Sequence, residues 1–188
     1  MTQETKLYVI RHGEAKGNLP DDPLTQKGNE QAKKLIDFLL QREEIEFDRI
    51  ISSPYLRAKQ TADILNKRLN IGCSTDCRLK ELNFGTESED INLVDQLQRQ
   101  FEDFQLKLSG GESNQEVMDR VGSLKNELLH EGNGTFILIT HRVTMALLLR
   151  HFDEKRFGFN ECMELTNPDV FVVTQVNGNT HIEDIWKV

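Results

Sequence analysis

The chain has 188 residues, a formal net charge of −8 and 37% hydrophobic residues, enough for one domain with a core of its own. The acidic balance excludes general affinity for nucleic acid, which needs a basic field, and no apolar run approaches the roughly 18 residues of a membrane span. Nothing at the N-terminus reads as a signal peptide, and the cysteines (Cys73, Cys77 and Cys162) fit a reducing cytoplasm better than a disulfide framework.

Lys6–Ile10 (KLYVI) is a short apolar run that predicts a buried strand, with a polar turn, Arg11-His12-Gly13-Glu14, directly after it. Thr25 opens a helical pattern whose inner stripe is Ala32, Leu35, Ile36, Leu39 and Leu40. Arg49–Ser52 is a second short strand. Ser53 is placed to N-cap the next helix, with Pro54 at its first position, where a missing N–H costs nothing. Ala58, Ala62, Leu65 and Leu69 give that helix its inner face.

Between residues 83 and 112 the sequence turns acidic and amphipathic without strand signals, which predicts a helical insertion with Leu93, Leu97, Phe101 and Phe104 as its core. Ser113 with Glu116 is a capping box for a helix carrying Val117, Val121, Leu124 and Leu128. Thr135–Thr140 (TFILIT) is the clearest buried strand, and residues 142–152 read as helix. Val170–Val176, a turn at Asn177-Gly178 and residues 181–188 predict a hairpin, whose edge is open to a second copy or covered by its own chain. Strands alternating with helices predict a single α/β domain over residues 1–188, a mostly parallel sheet covered on both faces. Ligands in such sheets bind beyond the carboxyl ends of the strands. Arg11-His12 and His141, each following a buried strand, are therefore expected at one edge.

The residue types at that edge carry chemistry. A histidine at a strand end is ordinarily held by a backbone carbonyl. Arg57, however, falls in the first turn of a helix, where a cation opposes the dipole and calls for an anion; a bound phosphate is one, a paired carboxylate another. Glu81 lies between an apolar start and a turn, in Leu79-Lys80-Glu81-Leu82-Asn83-Phe84-Gly85. His141 ends a buried strand, where a polar side chain needs a partner. Cys73 and Cys77 have no second pair nearby to complete a four-ligand site, so no metal and no cofactor are expected.

Arg11-His12-Gly13-Glu14 with Asn18, Leu24-Thr25 with Gly28, the 52–62 segment, Leu79-Lys80-Glu81 through Phe84-Gly85, Gly111-Glu112-Ser113 with Val117 and Arg120, and Ile139-Thr140-His141 come in an order that resembles the histidine phosphatase superfamily, which includes the phosphoglycerate mutases. The resemblance spans residue 7 to about residue 150. It implies a three-layer fold, a mostly parallel mixed sheet with the 83–112 insertion as a helical lid over the active site. It also implies two-step phosphoryl transfer without a metal. By this resemblance His12 is the nucleophile, Arg11, Arg57 and His141 hold the phosphoryl group, and Glu81 gives a proton to the leaving oxygen and later activates water. Asn18 adds a donor to the phosphate, and Glu14 joins the substrate-binding set; Arg142, which the family pattern does not supply, is expected either to add charge to that set or to point away and merely open the helix. Crowding by Glu14, or partial burial, is expected to favour protonated Glu81. A bound dianion is expected to hold His141 protonated.

The chain departs from the family pattern at three places. Arg142 stands where relatives usually carry Gly, Ala15 where they commonly carry Thr or Ser, and Thr86-Glu87-Ser88 where an aromatic and Glu-Gly often follow. Three functions compete: a phosphomonoesterase, a mutase of the phosphoglycerate type, and a protein that only binds phosphorylated ligands. In the insertion, acids (Glu87, Glu89, Asp90, Asp95, Glu102, Asp103, Glu112) outnumber bases (Arg99, Lys107). That favours a leaving group of low charge over a multiply anionic one held between half-reactions. The expected enzyme is a cytoplasmic, metal-independent phosphatase of the histidine acid phosphatase type, acting on a small phosphomonoester. Neither membrane nor nucleic acid is expected as a partner.

Overall fold

Strand β1 (Glu4–Arg11) is buried from Leu7 onward on both faces, which requires a layer on each side of the sheet. Its odd and even residues go to different cores. Leu7 and Val9 join Phe136, Leu138, Phe171 and Val173 on one face. Tyr8 and Ile10 join Ile137, Ile139, Val170 and Val172 on the other. Burying a side chain of this kind contributes about 1.5–3 kcal/mol, so the strand is fixed in register by both layers. The structure is a computed structural model that describes residues 4–42, 45–85 and 92–186.

The sheet has six strands in the order β3-β2-β4-β1-β5-β6. Strands β2 (Arg49–Ser52), β3 (Gly72–Thr75) and β4 (Gly134–Thr140) run parallel with β1, while β5 (Asp169–Val176) is antiparallel to β1 and β6 (Asn179–Asp184) to β5. Helices α1 (Gln26–Gln41) and α2 (Leu56–Leu69) cover one face. Helices α3 (Leu93–Glu102), α4 (Asn114–Glu131), α5 (Arg142–Arg150) and α6 (Phe159–Glu164) cover the other. This is the mixed three-layer α/β fold expected from the sequence.

Local chemistry sets the helix starts. The Thr25 side chain accepts from the Gly28 N–H at 2.9 Å and caps α1. Ala32, Leu35, Ile36 and Leu39 are buried, but Leu40 is 46% exposed, because the stripe has rotated off the core by its last turn. Ser113 and Glu116 form the reciprocal capping box of α4. Two boundaries differ from expectation. Helix α2 begins at Leu56 after Tyr55 rather than after Ser53, whose hydroxyl accepts from the Tyr55 N–H at 3.2 Å and also meets His141. Helix α5 ends at Arg150, two residues early.

The 83–112 segment is helical only in α3 among its described residues. Its other described residues include turns such as Leu106 N–H to Asp103 O and Gly111 N–H to Leu108 O. Its two ends are tied together: Glu112 N–H donates to Asn83 O at 2.7 Å and Asn83 N–H to the Glu112 carboxylate at 3.1 Å. The excursion packs on α6 through Phe101 and Phe159. Thr86-Glu87-Ser88, Glu89 and Asp90, and the last two residues of the expected hairpin, lie outside the described residues.

Candidate active site

Parallel pairing of β1 and β4 puts Arg11 beside Thr140, so the next residues, His12 and His141, leave the sheet together. The His12 N–H donates to Thr140 O at 3.1 Å and the Ser53 N–H to Ile139 O at 2.8 Å, which extends the ladder one residue past each strand. The two imidazoles end 5.0 Å apart, edge to face.

His12 is held as a neutral ring with a defined tautomer. Its Nδ1 lies 2.6 Å from Gly13 O, an acceptor only, so Nδ1 carries the proton. Nε2 is left with its lone pair, which accepts from Arg57 Nε at 3.0 Å. Burial, with the neighbouring Arg57 and Arg11 charges, pushes the His12 pKa down to about 3 against a smaller upward pull from the Gly13 carbonyl. Asn167 Nδ2 donates to His12 O at 2.8 Å and fixes the backbone from the other side.

Arg57 is the second residue of α2 and 2% exposed. Besides His12, its Nη1 donates to Leu19 O at 2.7 Å, and its guanidinium lies 5.2 Å from the Tyr55 ring centroid. Arg11 donates from Nη1 to Leu165 O at 2.6 Å and to Thr166 O at 3.2 Å, while its Nε is buried without a partner. Burial and the charge of Arg142 push its pKa down to about 10, so it remains a cation near neutrality. Among the described residues no carboxylate forms an ion pair with Arg11, Arg57 or Arg142.

His141 is fully buried at the N-cap of α5, with Nε2 at 2.7 Å from the Ser53 hydroxyl and Nδ1 without a partner. Burial, then His12, Arg57, Arg11 and Arg120, holds its pKa well below the ordinary histidine value. Glu81 faces the same helix end. Its carboxylate accepts from Leu82 N–H at 2.9 Å, Thr144 N–H at 3.1 Å and Val143 N–H at 3.2 Å, and so caps α5 in place of a side-chain cap from His141. Thr144 Oγ1 donates to Lys80 O at 2.6 Å and lies 3.2 Å from Glu81 Oε1.

The remaining candidates are placed differently. Glu14 is not beside Glu81: its carboxylate accepts from Thr25 Oγ1 at 2.9 Å and Lys27 Nζ at 2.8 Å, and both hydrogen bonds hold its pKa low. The expected crowding of Glu81 by Glu14 is therefore overturned, because the α1 N-terminus supplies Glu14 with better partners. Asn18 is exposed, next to the Leu19 carbonyl that Arg57 holds. Arg142 is the first residue of α5 and lies on the α6 side, with Nη1 at 4.0 Å from Met163 Sδ. Among the described acids of the insertion, none forms an ion pair with the arginines of the site. Asp95, Glu102 and Asp103 are exposed, and Glu112 is ion-paired with Arg120 at 2.9 Å. Among the described residues no group of His, Cys, Asp and Glu is placed to hold a metal ion; Cys73 and Cys77 are exposed and free.

Several contributors were missed from sequence: Tyr55, Thr144, Asn167 and the carbonyls of Leu165 and Thr166. Ser53 was assigned only a capping role. The signal that singled out His141, a polar residue closing a buried strand, applied equally to Ser53 after β2.

Residues 7–186 match the model of the histidine phosphatase superfamily (branch 1). Among characterised sequences, the chain is 29% identical to the probable phosphoglycerate mutase GpmB of Salmonella choleraesuis over 180 residues, covering 84% of this chain and 81% of that protein. Among solved structures it superposes on a phosphoglycerate mutase from Bacillus anthracis with a TM-score of 0.80 at 22% identity, covering 98% of this chain and 93% of that one. It superposes on a mycobacterial glucosyl-3-phosphoglycerate phosphatase with a TM-score of 0.75 at 21% identity, covering 96% and 98% of the two chains. Bacillus stearothermophilus YhfR gives a TM-score of 0.77 at 24% identity, covering 98% of each chain.

Proposed function

Because the chain belongs to the histidine phosphatase superfamily, branch 1, we propose that it removes the phosphoryl group of a small phosphomonoester through a phosphohistidine on His12. The observation that carries this reading is the His12 hydrogen-bond pattern. The Gly13 carbonyl fixes the proton on Nδ1, and the lone pair of Nε2 faces a guanidinium with no carboxylate paired to it. A neutral imidazole of this tautomer is a competent nucleophile toward phosphorus.

The Nε2 lone pair attacks phosphorus, and the bond from phosphorus to the ester oxygen breaks. Arg57 Nε–H transfers its hydrogen bond from Nε2 to a phosphoryl oxygen, where Arg11 and His141 add donors. Guanidiniums suit the equatorial oxygens, and phosphoryl transfer needs little beyond alignment and charge stabilisation. Glu81, as the carboxylic acid, gives its proton to the departing oxygen. As carboxylate it then takes a proton from water, whose oxygen attacks phosphorus and releases phosphate from Nε2. Within this reading Asn18 binds the phosphate, residues 83–112 cover the site as a lid, the reaction runs in the cytoplasm, and no metal takes part.

Hydrolysis of p-nitrophenyl phosphate by the wild type and by His12→Ala, both with excess chelator, tests the proposal. Turnover and an acid-labile phosphoryl label in the wild type alone are expected. Equal rates, or no turnover and no label in either, overturn it. Transfer of the phosphate back to a second hydroxyl is the other reading, favoured by the name of the GpmB relatives. Incubation with 3-phosphoglycerate separates the two: free phosphate is expected, and 2-phosphoglycerate without phosphate release favours the mutase.

A further inference from the structure

The His141 ring is enclosed by two other rings and a hydroxyl. His12 and Tyr55 meet it edge to face, each with ring centroids 5.0 Å away. Nε2 lies 2.7 Å from the Ser53 hydroxyl, while Nδ1 is buried without a partner. Ser53 is itself fully buried and is held at every polar group. Its N–H donates to Ile139 O at 2.8 Å, and its carbonyl accepts from the Ser52 hydroxyl at 2.9 Å. Its own hydroxyl accepts from the Tyr55 N–H at 3.2 Å.

A count of donors decides where the His141 proton sits. A serine hydroxyl has one O–H to give and two lone pairs to receive. The Tyr55 N–H fills one lone pair of Ser53. A proton on His141 Nε2 would fill the other and leave the buried Ser53 O–H without an acceptor, which is costly. Given instead to the Nε2 lone pair, the O–H is satisfied, and the imidazole proton belongs on Nδ1. An imidazolium would strand the same O–H. Burial and the neighbouring cations also disfavour a second proton on the ring. Nδ1–H is then a buried donor that the described residues supply with no acceptor. Such a group calls for an acceptor brought from outside the fold.

We propose that Ser53 is a positioning residue: its hydroxyl donates to His141 Nε2 and so presents Nδ1–H, on a neutral imidazole, as a hydrogen-bond donor to an oxygen of the transferring phosphoryl group. The proposal rests on the phosphatase reading for the identity of that acceptor. It replaces the expectation that a bound dianion protonates His141, since the donor is on the ring before the ligand arrives. The two histidines thus face the ligand through opposite nitrogens. His12 offers its Nε2 lone pair with Nδ1 tied to Gly13 O, and His141 offers Nδ1–H with Nε2 tied to Ser53. No proton has to reach His141 on binding or leave it with the product, so the same hydrogen bond serves formation and hydrolysis of the phosphohistidine. A donor set in advance needs no reorganisation as charge develops on the phosphoryl oxygens.

Long-range proton–nitrogen NMR correlation on protein labelled with nitrogen-15 in its histidine rings separates Nδ1–H, Nε2–H and the imidazolium directly. Near neutral pH the wild-type His141 is expected as Nδ1–H with a bare Nε2, and inorganic phosphate is expected to shift the Nδ1 signal. Ser53→Ala should lose the single tautomer and lower kcat for p-nitrophenyl phosphate by about tenfold or more, with KM changed far less. Ser53→Thr, which keeps the hydroxyl, should restore most of both. A merely structural Ser53 would alter thermal stability and leave the tautomer as it was. Nε2–H or an imidazolium in the wild type overturns the proposal whether or not the variants fold. An Nδ1–H tautomer that persists in Ser53→Ala overturns it too, as does phosphate that binds without moving the His141 Nδ1 signal. If inorganic phosphate does not bind at all, the phosphatase reading fails and takes the acceptor with it, while the spectra still decide whether Ser53 sets the tautomer.

Discussion

At the scale of single residues, the proposed reaction depends on the placement of protons. Glu81 accepts from three backbone N–H groups, so its orientation survives replacement by an amide better than its proton transfer does. Glu81→Gln is expected to slow alkyl phosphates by about 10²–10⁴-fold and p-nitrophenyl phosphate much less, since nitrophenolate leaves without a proton. Equal losses on both would contradict the acid role. His12 and His141 give a second prediction. Both have depressed pKa values in the fold, so below pH 6.5 the unfolded chain binds protons that the native one refuses. Stability is then fully present above the ordinary histidine pKa and falls as the pH drops below it. The unfolding free energy from urea titrations should decline from pH 7 to pH 5 with a slope of up to roughly 1.4 kcal/mol per pH unit for each histidine. His12→Gln should flatten that slope; an unaltered slope would show that His12 is not held neutral.

At the scale of elements, the loop from β1 to α1 is fitted against the start of α1 with no space for a side chain. A Cβ on Gly28 would run into the Glu14 carbonyl oxygen, and one on Gly13 would meet Gly28 O at 2.6 Å. Gly28→Ala should cost about 1–3 kcal/mol and lower kcat, because the displaced backbone carries His12. Unchanged stability and rate would mean that the loop yields freely. What the sequence disclosed follows the range of each interaction. Thr25, the Ser113–Glu116 box and the TFILIT run act within a few residues and were legible. Strand β3 was not, since all its side chains are exposed and only pairing with β2 defines it. Helix α6, at six residues, is too short for a period to show. At the site, Arg11, His12, Arg57, Glu81 and His141 were named by motif. The bonds that orient them were not, because Leu19, Asn167 and Leu165 reach them from distant parts of the chain.

At the scale of the whole molecule, the site joins the ends of β1, β2 and β4 to α2 and α5, so an anion bound there links both layers. Inorganic phosphate should raise the unfolding free energy by about 2.7 kcal/mol at a hundred times its Kd. Trp186, packed edge-on against Phe38 at 5.0 Å, is a reporter of global unfolding. No phosphate-dependent shift in its transition would contradict the anion site. The strand order has a consequence for how the protein is made. The first of these six strands to leave the ribosome, β1, lies inside the sheet, and both of its neighbours, β4 and β5, come from beyond residue 133. Until then the KLYVI run has two bare edges, whatever helices have already been made to cover its faces, a state prone to pairing with other chains. Nascent chains arrested before β4 should therefore be protease-sensitive and retained by chaperones, with protection arising only after β5 has emerged.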